Sequence, residues 1–405
     1  MSEWIGNKLQ DVTIFIKDGT HGTHKDVQDG IPLLSAKDIE NGKINLPDNC
    51  RKISEIDYKK LHANYEIENE DILLTVVGTI GRVAIAKKLS RKITFQRSVS
   101  IIRFDKSKIF PDYSFHYFQS NKFQQALERS KNASAQGGVY LGELAKIKLY
   151  HPAKFDEQQR ISKILTTCDT VIEQTQAAIA KYKAIKQGML HDLFTRGVDT
   201  KGKLRPTFQQ APELYKESEL GMIPKEWEVK RLDTLSENFD GKRRPVKQED
   251  RDYKAKIYPY YGASGIIDYV DAYLFDEELI LLGEDGENVL SRNLPLAFKV
   301  KGKIWVNNHA HVLKPYSFMN IEYLTAALEL IDYTPVVSGS AQPKITQKEL
   351  NKLFVKKPLK EEQIQIAKLI TTYNNKLQSE VTLLSKYQSI KRGLMGDLLS
   401  GKKEV

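Results

Sequence analysis

The side chains best equipped for chemistry in this 405-residue chain lie in short, glycine-punctuated strings. Gly19-Thr20-His21-Gly22-Thr23-His24-Lys25 crowds Thr20, His21, Thr23, His24 and Lys25 into one flexible turn. Gly78-Thr79-Ile80-Gly81-Arg82 carries Thr79 and Arg82, although its glycines suit a plain turn equally well. Gln96 and Arg97 set an amide that can grip adenine beside a guanidinium, and Ser134 and Gln136 add hydroxyl and amide groups. In the second half, Lys242, Arg243 and Arg244 form a basic cluster, and Tyr261 and Ser264 flank a turn. Asn307, Asn308 and His309 follow, then Ser340, Gln342 and Lys344. Cations that can neutralise phosphates, next to amides and hydroxyls that can reach base edges, are the groups that nucleic-acid reading needs. Gly283-Glu284-Asp285-Gly286 is either a cytosine-accepting pair of carboxylates or a bland acidic turn.

Strings that imitate catalytic sites fail on their chemistry. Gly197-Val198-Asp199-Thr200-Lys201-Gly202-Lys203 has most of a phosphate loop, but Leu204 stands where a magnesium-binding hydroxyl belongs. It also follows a helix end where a strand is needed. Asp48, Asp57 and Lys59 loosely match a nuclease carboxylate–lysine set, but Ile56 to Leu61 reads as helix. The Asn/Asp-Pro-Pro-aromatic string of adenine methyltransferases is absent, as is a glycine-rich cofactor loop after a first strand. His309 and His311 lack a third metal ligand nearby in sequence. The expectation is a chain with no catalytic residue, no metal and no cofactor of its own.

Composition agrees with a folded, basic protein. Hydrophobic residues at 40% and charged residues at 28% support a packed core, and the net charge of +10 favours a polyanionic partner. Two distant cysteines, Cys50 and Cys168, form no metal or disulfide spacing. No basic-then-apolar leader opens the chain and no apolar run approaches a membrane span, so a cytoplasmic protein with no membrane partner is expected.

The elements that must position these loops are duplicated. Residues 157–195 align with 362–400 at a constant offset of 205, without a gap. Identities include Glu157/Glu362, Gln158/Gln363, Ile161/Ile366, Tyr182/Tyr387, Ile185/Ile390, Lys186/Lys391 and Leu193/Leu398. Each copy reads as one long helix with an apolar seam of seven-residue period. In the first, Ile161, Leu165, Ile172, Ile179, Tyr182 and Leu193 face a partner; in the second, Ile366, Ile370, Leu377, Leu384, Tyr387 and Leu398 do. Thr175, Glu380, Lys186 and Lys391 interrupt the seams, so an imperfect coiled coil is expected. No proline breaks either helix, and Gly197 and Gly401 stand where each should stop. Such a helix spans about 58 Å at about 1.5 Å per residue, long enough to act as a ruler.

The flanks also correspond: Trp4…Lys8-Leu9 matches Trp227…Arg231-Leu232, and Ser134-Ala135-Gln136…Pro152 matches Ser340-Ala341-Gln342…Pro358. Between them similarity fades, and the second copy is 18 residues shorter. The interiors read as mainly β platforms, with strands at 71–77, 98–102, 279–282 and 311–313 and helices at 112–130 and 320–331.

This order of segments resembles the specificity subunits of type I restriction-modification systems over essentially the whole chain. Local strings reinforce the resemblance. Ser218-Glu219-Leu220-Gly221-Met222-Ile223-Pro224-Lys225-Glu226-Trp227 resembles the opening of a second recognition domain, and Tyr-x-x-Ile-Lys-x-Gly recurs at 182–188 and 387–393. The resemblance implies an α+β fold in which two homologous globular α/β recognition domains are separated by two long antiparallel coiled-coil helices, as a pseudo-twofold internal repeat. Its segments would be target-recognition domain 1 (1–154), spacer helix 1 (155–197), a linker (198–222), target-recognition domain 2 (223–358) and spacer helix 2 (359–401). It also implies a non-catalytic DNA-binding scaffold that reads a bipartite asymmetric double-stranded site, one half per domain. Two DNA methyltransferase subunits, and through them motor-nuclease subunits, would join it for DNA methylation and defence against foreign DNA. S-adenosylmethionine, and ATP and Mg2+ for restriction, would be used by those partners. Taken without the resemblance, the residues also admit a self-contained DNA-modifying enzyme or a coiled-coil adaptor that never touches DNA.

Overall fold

A computed structural model describes residues 3–132, 137–252, 255–339 and 342–403. Two compact units divide the chain, Met1–Ala177 with Thr382–Val405, and Ala178–Val381. The two long helices are continuous over Phe155–Thr195 and Lys360–Leu398. The compact units cut each helix near its middle, where the sequence reading had made each helix a segment of its own. The reason is burial: each globular domain closes its core on the first half of one helix and the last half of the other.

The first unit is built on four antiparallel strands in the spatial order Thr13–Asp18, Val99–Phe104, Ile72–Thr75, Val83–Ile85. The second repeats this order as Ser236–Asn238, Ala310–Pro315, Leu279–Gly283, Ala297–Val300. Ile72-Leu73-Leu74 and Leu279-Ile280-Leu281-Leu282 are fully buried, because their strands are covered on both faces; hence their apolar runs do not alternate. A second sheet in each unit, of three strands in the first and four in the second, contains one parallel pair. It joins Ile31–Leu34 to Thr94–Phe95 in the first unit and Tyr258–Gly262 to Lys303–Val306 in the second. Outside these, Trp4–Lys8 pairs with Lys148–Pro152 and Glu228–Arg231 with Phe354–Lys357. Topology is therefore shared even where sequence similarity fades.

One expected helix is two. Pro111–Phe118 and Asn121–Asn132 are separated at Gln119-Ser120, where the Ser120 hydroxyl accepts from the Phe123 amide and starts the second helix.

Within the first unit, Ile161 and Leu165 share a core with Leu398, Leu399, Tyr113 and Leu149. Within the second, Ile366 and Ile370 share one with Leu193, Phe194, Trp227 and Tyr323. The two helix segments in each unit therefore run in opposite directions. Further along the seams Ile179 is buried, and Ile172, Tyr182, Leu377, Leu384 and Tyr387 are half-buried. Three of the four polar interruptions have partners within the helices. The Thr175 hydroxyl donates to the Val171 carbonyl at 2.8 Å, Glu380 pairs with Lys376 at 2.8 Å and Lys391 with Asp169 at 2.5 Å. His116 is fully buried near that last pair, 3.0 Å from the Thr166 hydroxyl. Burial, helped by Lys391 and Lys87, pulls it down to about 3, so its ring stays neutral.

The duplicated polar residues perform duplicated work. Gln158 accepts from the Phe110 amide at 2.9 Å and donates to the Pro152 carbonyl; Gln363 accepts from the Asn320 amide at 2.8 Å and donates to the Pro358 carbonyl. Each long helix ends on a left-handed glycine, Gly197 (φ 63°) and Gly401 (φ 74°). A Cβ at Gly197 would lie 2.1 Å from Glu362 and 2.5 Å from Trp227, and one at Gly401 would lie 2.7 Å from Trp4. Only glycine both turns the chain and admits the tryptophan.

Glu362 is the anchor of the second unit. Its buried carboxylate accepts from Trp227 Nε1 (2.9 Å), Arg205 (2.6 and 3.1 Å) and the Val198 amide (2.8 Å). Glu362→Ala would leave the guanidinium and indole unpaired and should cost about 3–5 kcal/mol in denaturant unfolding, the range for breaking a buried pair. Exposed Glu361→Ala in the same turn should stay within about 0.5 kcal/mol of the native chain. Equal effects of the two would contradict the anchor.

Candidate nucleic-acid interface

The loops chosen from sequence gather at one sheet edge in each unit, held there by backbone hydrogen bonds. In the first unit the Thr20 amide donates to the Phe95 carbonyl (2.8 Å), and the Arg97 amide donates to the Thr20 carbonyl (3.0 Å). The Val76 amide donates to Ser98 and the Val139 amide to Val76, both at 2.9 Å. The turn at Thr79, Gln96-Arg97-Ser98, the Thr20 loop and the segment entering Val139 are thus neighbours. Ser134 and Gln136 lie outside the described residues.

The second unit repeats this wiring with different residues. The Glu284 amide donates to the His309 carbonyl (2.9 Å) and the Ile345 amide to the Glu284 carbonyl (2.8 Å). These occupy the places of Val76, Ser98 and Val139. The Asn307 amide donates to the Tyr261 carbonyl at 3.0 Å, which adds the Tyr261-Ser264 turn. Ser340 lies outside the described residues.

Side-chain roles within these edges divide into supports and free groups. Thr20 Oγ1 is 2.7 Å from His24 Nε2 and accepts from the Gly22 amide, so Thr20 shapes the turn. His21 leans on Asp18 at 2.5 Å, with its ring largely exposed. Thr23, Lys25, Thr79 and Arg97 are exposed, and Gln96 is half-buried. Arg82 is also half-buried; it sends NH1 towards the Ile39 carbonyl at 3.3 Å, which holds the guanidinium back from solvent. Sequence reasoning missed Arg51, whose guanidinium donates to the His24 carbonyl, and it weighed Asp57, 3.7 Å from the His24 ring, only as part of a nuclease-like set. Arg51 lies in no glycine-rich string, so no local signal marked it. A cleft of about 480 Å3 opens beside this loop, lined by Lys17, His21, His24, His62 and Tyr65. Burial pushes the His62 imidazole below its usual value.

In the second unit the basic cluster is corrected. Arg243 was expected to meet phosphate, but its guanidinium is turned inward. It bonds Glu284 and the Ala310 carbonyl, and lies 3.5 Å from Asp240. Lys344 is half exposed but its ammonium pairs with Glu284 at 2.9 Å. Asn307 is buried, and its Oδ1 accepts from the His309 amide, so it is a strut. The free groups are Asn308, Ser264, Gln342 and Arg244, with Lys242 laid 3.6 Å over the Phe239 ring and Tyr261 half-buried. Of the acidic turn, Glu284 is an internal counter-ion and Asp285 holds the His309 ring at 2.9 Å. Sequence reasoning missed Asp240, because its partner His311 is 71 residues away.

Asp240, Glu284 and His311 are close enough to suggest a metal site. Their bonding argues otherwise. Both His311 ring nitrogens are already engaged, Nδ1 with Asp240 (2.5 Å) and Nε2 with the Ile345 carbonyl (2.9 Å). Arg243 and Lys344 already occupy Glu284. The phosphate-loop mimic is also filled: Asp199 Oδ1 accepts from the Lys201 and Lys203 amides, both at 2.9 Å, where a phosphate would need them.

Burial alone would raise both acids. For Asp240, the His311 hydrogen bond and charge, the Val312 amide and Arg243 outweigh it; for Glu284, Arg243 and Lys344 do, and both carboxyls end below their ordinary values. A depressed carboxyl contributes stability above its unfolded value and loses it as pH falls through its folded one. The second unit should therefore weaken as pH drops below about 4. Asp240→Asn should lower stability at pH 7 by about 3 kcal/mol and flatten that acid decline. Thermal midpoints measured from pH 7 to 3 check this; an unchanged profile in the variant would refute it.

Among the described residues, no helix is long and apolar enough to cross a membrane. The family model described as "Type I restriction modification DNA specificity domain" matches residues 1–182 and 224–386. The MjaVIII specificity subunit of a type I restriction enzyme from Methanocaldococcus jannaschii is 24% identical, over 92% of this chain and 86% of its own. The EcoBI specificity subunit of Escherichia coli is 27% identical over 42% of this chain and 36% of its own. The crystal structure of a type I restriction-modification S subunit from M. genitalium superposes with a TM-score of 0.65 at 15% identity, covering 98% of this chain and 96% of that one. With two family matches lying on its two domains, the chain belongs to the type I restriction modification DNA specificity family, as a non-catalytic specificity subunit.

Proposed function

We propose that each domain reads one half of a bipartite, asymmetric double-stranded DNA site through its loop edge. The observation that carries this reading is the shared wiring. The same backbone bonds hold equivalent loops in both domains, while the side chains those loops offer differ. One frame with two sets of reading groups is what two unlike half-sites require.

In the same reading, the helices dock two DNA methyltransferase subunits, and motor-nuclease subunits join through them. Ile185 and Ile390 support this: they hold matching positions in the two helices and are both exposed. S-adenosylmethionine, ATP and Mg2+ are the partners' cofactors, and the cytoplasm, where DNA is exposed to the complex, is the compartment.

Replacing residues 20–135 with the corresponding interior of another family member should change one half of the recognised sequence only. Mapping methylated adenines by single-molecule sequencing reads this directly, and a change in both halves would sink the modular reading. Arg97→Ala should weaken binding alike on all sequences and reduce the salt slope by about one, as loss of a phosphate contact does. Gln96→Ala should instead relax preference at one base pair, by roughly 1–3 kcal/mol in competition binding.

A further inference from the structure

The second sheet of the second unit has the order Gly265–Val270, Tyr258–Gly262, Lys303–Val306, Phe275–Asp276, which leaves Gly265–Val270 as an edge strand. Successive strand residues point to opposite faces. Ile266, Ile267 and Tyr269 are 49%, 56% and 43% exposed, and Ile267 is the extra, unpaired residue of a bulge, since Tyr260 faces Asp268 and Tyr261 faces Ile266, so apolar groups stand bare along this edge. An apolar edge of this kind is a liability unless something covers it.

Its position says what does. The strand leaves the turn at Ala263-Ser264, and the Ala263 carbonyl would lie 2.7 Å from a Cβ at Gly283, the residue before Glu284. A Cβ at Gly262 would lie 3.0 Å from Ile267 Cγ2 and 3.6 Å from Asn307 Nδ2. Ile267 and the side-chain amide of Asn307, which begins the loop of Asn308 and His309, therefore both border Gly262. A register shift at Tyr260/Tyr261 bends the hairpin there. Arg244 and Lys242, both exposed, lie on the loop joined to the same sheet, where the Arg244 amide donates to the Val306 carbonyl. An apolar ribbon bordered by cations and base-reading amides matches the major groove, which admits a two-stranded ribbon and whose apolar feature is the thymine methyl group.

We propose that the 258–270 hairpin enters the major groove and that Ile267 selects thymine by contact with its 5-methyl group. This rests on the reading of the second domain as a DNA reader. The test uses the full chain in its assembled complex and the site mapped by methylation. Each thymine of the second half-site is replaced singly by deoxyuridine, and binding is followed by fluorescence anisotropy.

At one position the native protein should lose about fourfold in affinity, the worth of one buried methyl group. Ile267→Ser should bind thymine and uracil duplexes alike, and Ile267→Val should keep the difference. Because Ile267 is exposed, the thermal midpoint of the serine variant should match the native one, which separates lost contact from lost folding. Native indifference to every deoxyuridine, or discrimination retained in Ile267→Ser, would overturn the role of the hairpin. A chain dimer dissolved by Ile267→Ser with DNA discrimination intact would overturn it too, in favour of edge pairing between copies. Loss of all sequence-dependent binding by the native protein would instead remove the recognition reading itself, and the hairpin's role with it.

Discussion

A buried carboxylate at the start of a helix is costly unless everything around it is arranged to donate, and Glu362 shows what that arrangement achieves. Its oxygens collect an indole N–H, a guanidinium and the backbone amide that follows Gly197. The helix N-terminus adds its own partial positive charge. These donors come from three separate stretches: the end of the first long helix, the linker after it, and the tryptophan that opens the second domain. A single acid thus sets how the first helix stops against the second helix's beginning. Glu157, buried at the matching place in the first helix, belongs to the unit in which Gly401 closes on Trp4. The duplication preserves the closure as well as the fold.

That closure frees the far edge of each domain from structural duty. The reading loops are fastened by main-chain bonds to neighbouring strands, so their side chains can change without loosening the frame. This accounts for two interiors that share strand order and wiring while sharing little sequence. The freedom has limits. In the second unit an ion network of Asp240, Glu284, Arg243, Lys344 and His311 lies under the loops and consumes charges that look available from sequence. Its balance also explains how a domain expected to meet phosphates tolerates two carboxylates near its reading edge: each is neutralised from within.

The long helices obey the same economy. A seven-residue apolar period would normally predict a uniform coiled coil, but the seam is buried most completely near its ends, where it completes a domain core. Towards the middle most of its apolar residues are half-buried, Ile179 excepted, and Thr175 and Glu380 are satisfied locally by back-bonding or a neighbouring charge. The heptad pattern thus records two demands, helix against helix and helix against domain.

What the sequence determined by itself is whatever depends on repetition and local chemistry. The constant offset, the uninterrupted helices, their glycine stops and the buried aliphatic strands follow from spacing and side-chain type, since these act over a few residues. The candidate loops were legible for the same reason, as glycine-bounded polar strings. Which polar groups in them remain free was not. Arg243 and Lys344 are engaged by Glu284, and Arg51 reaches the His24 carbonyl from another strand's end. Such pairings join residues distant in the chain, and only the shared sheet order, which brings those strand ends to one edge, decides them.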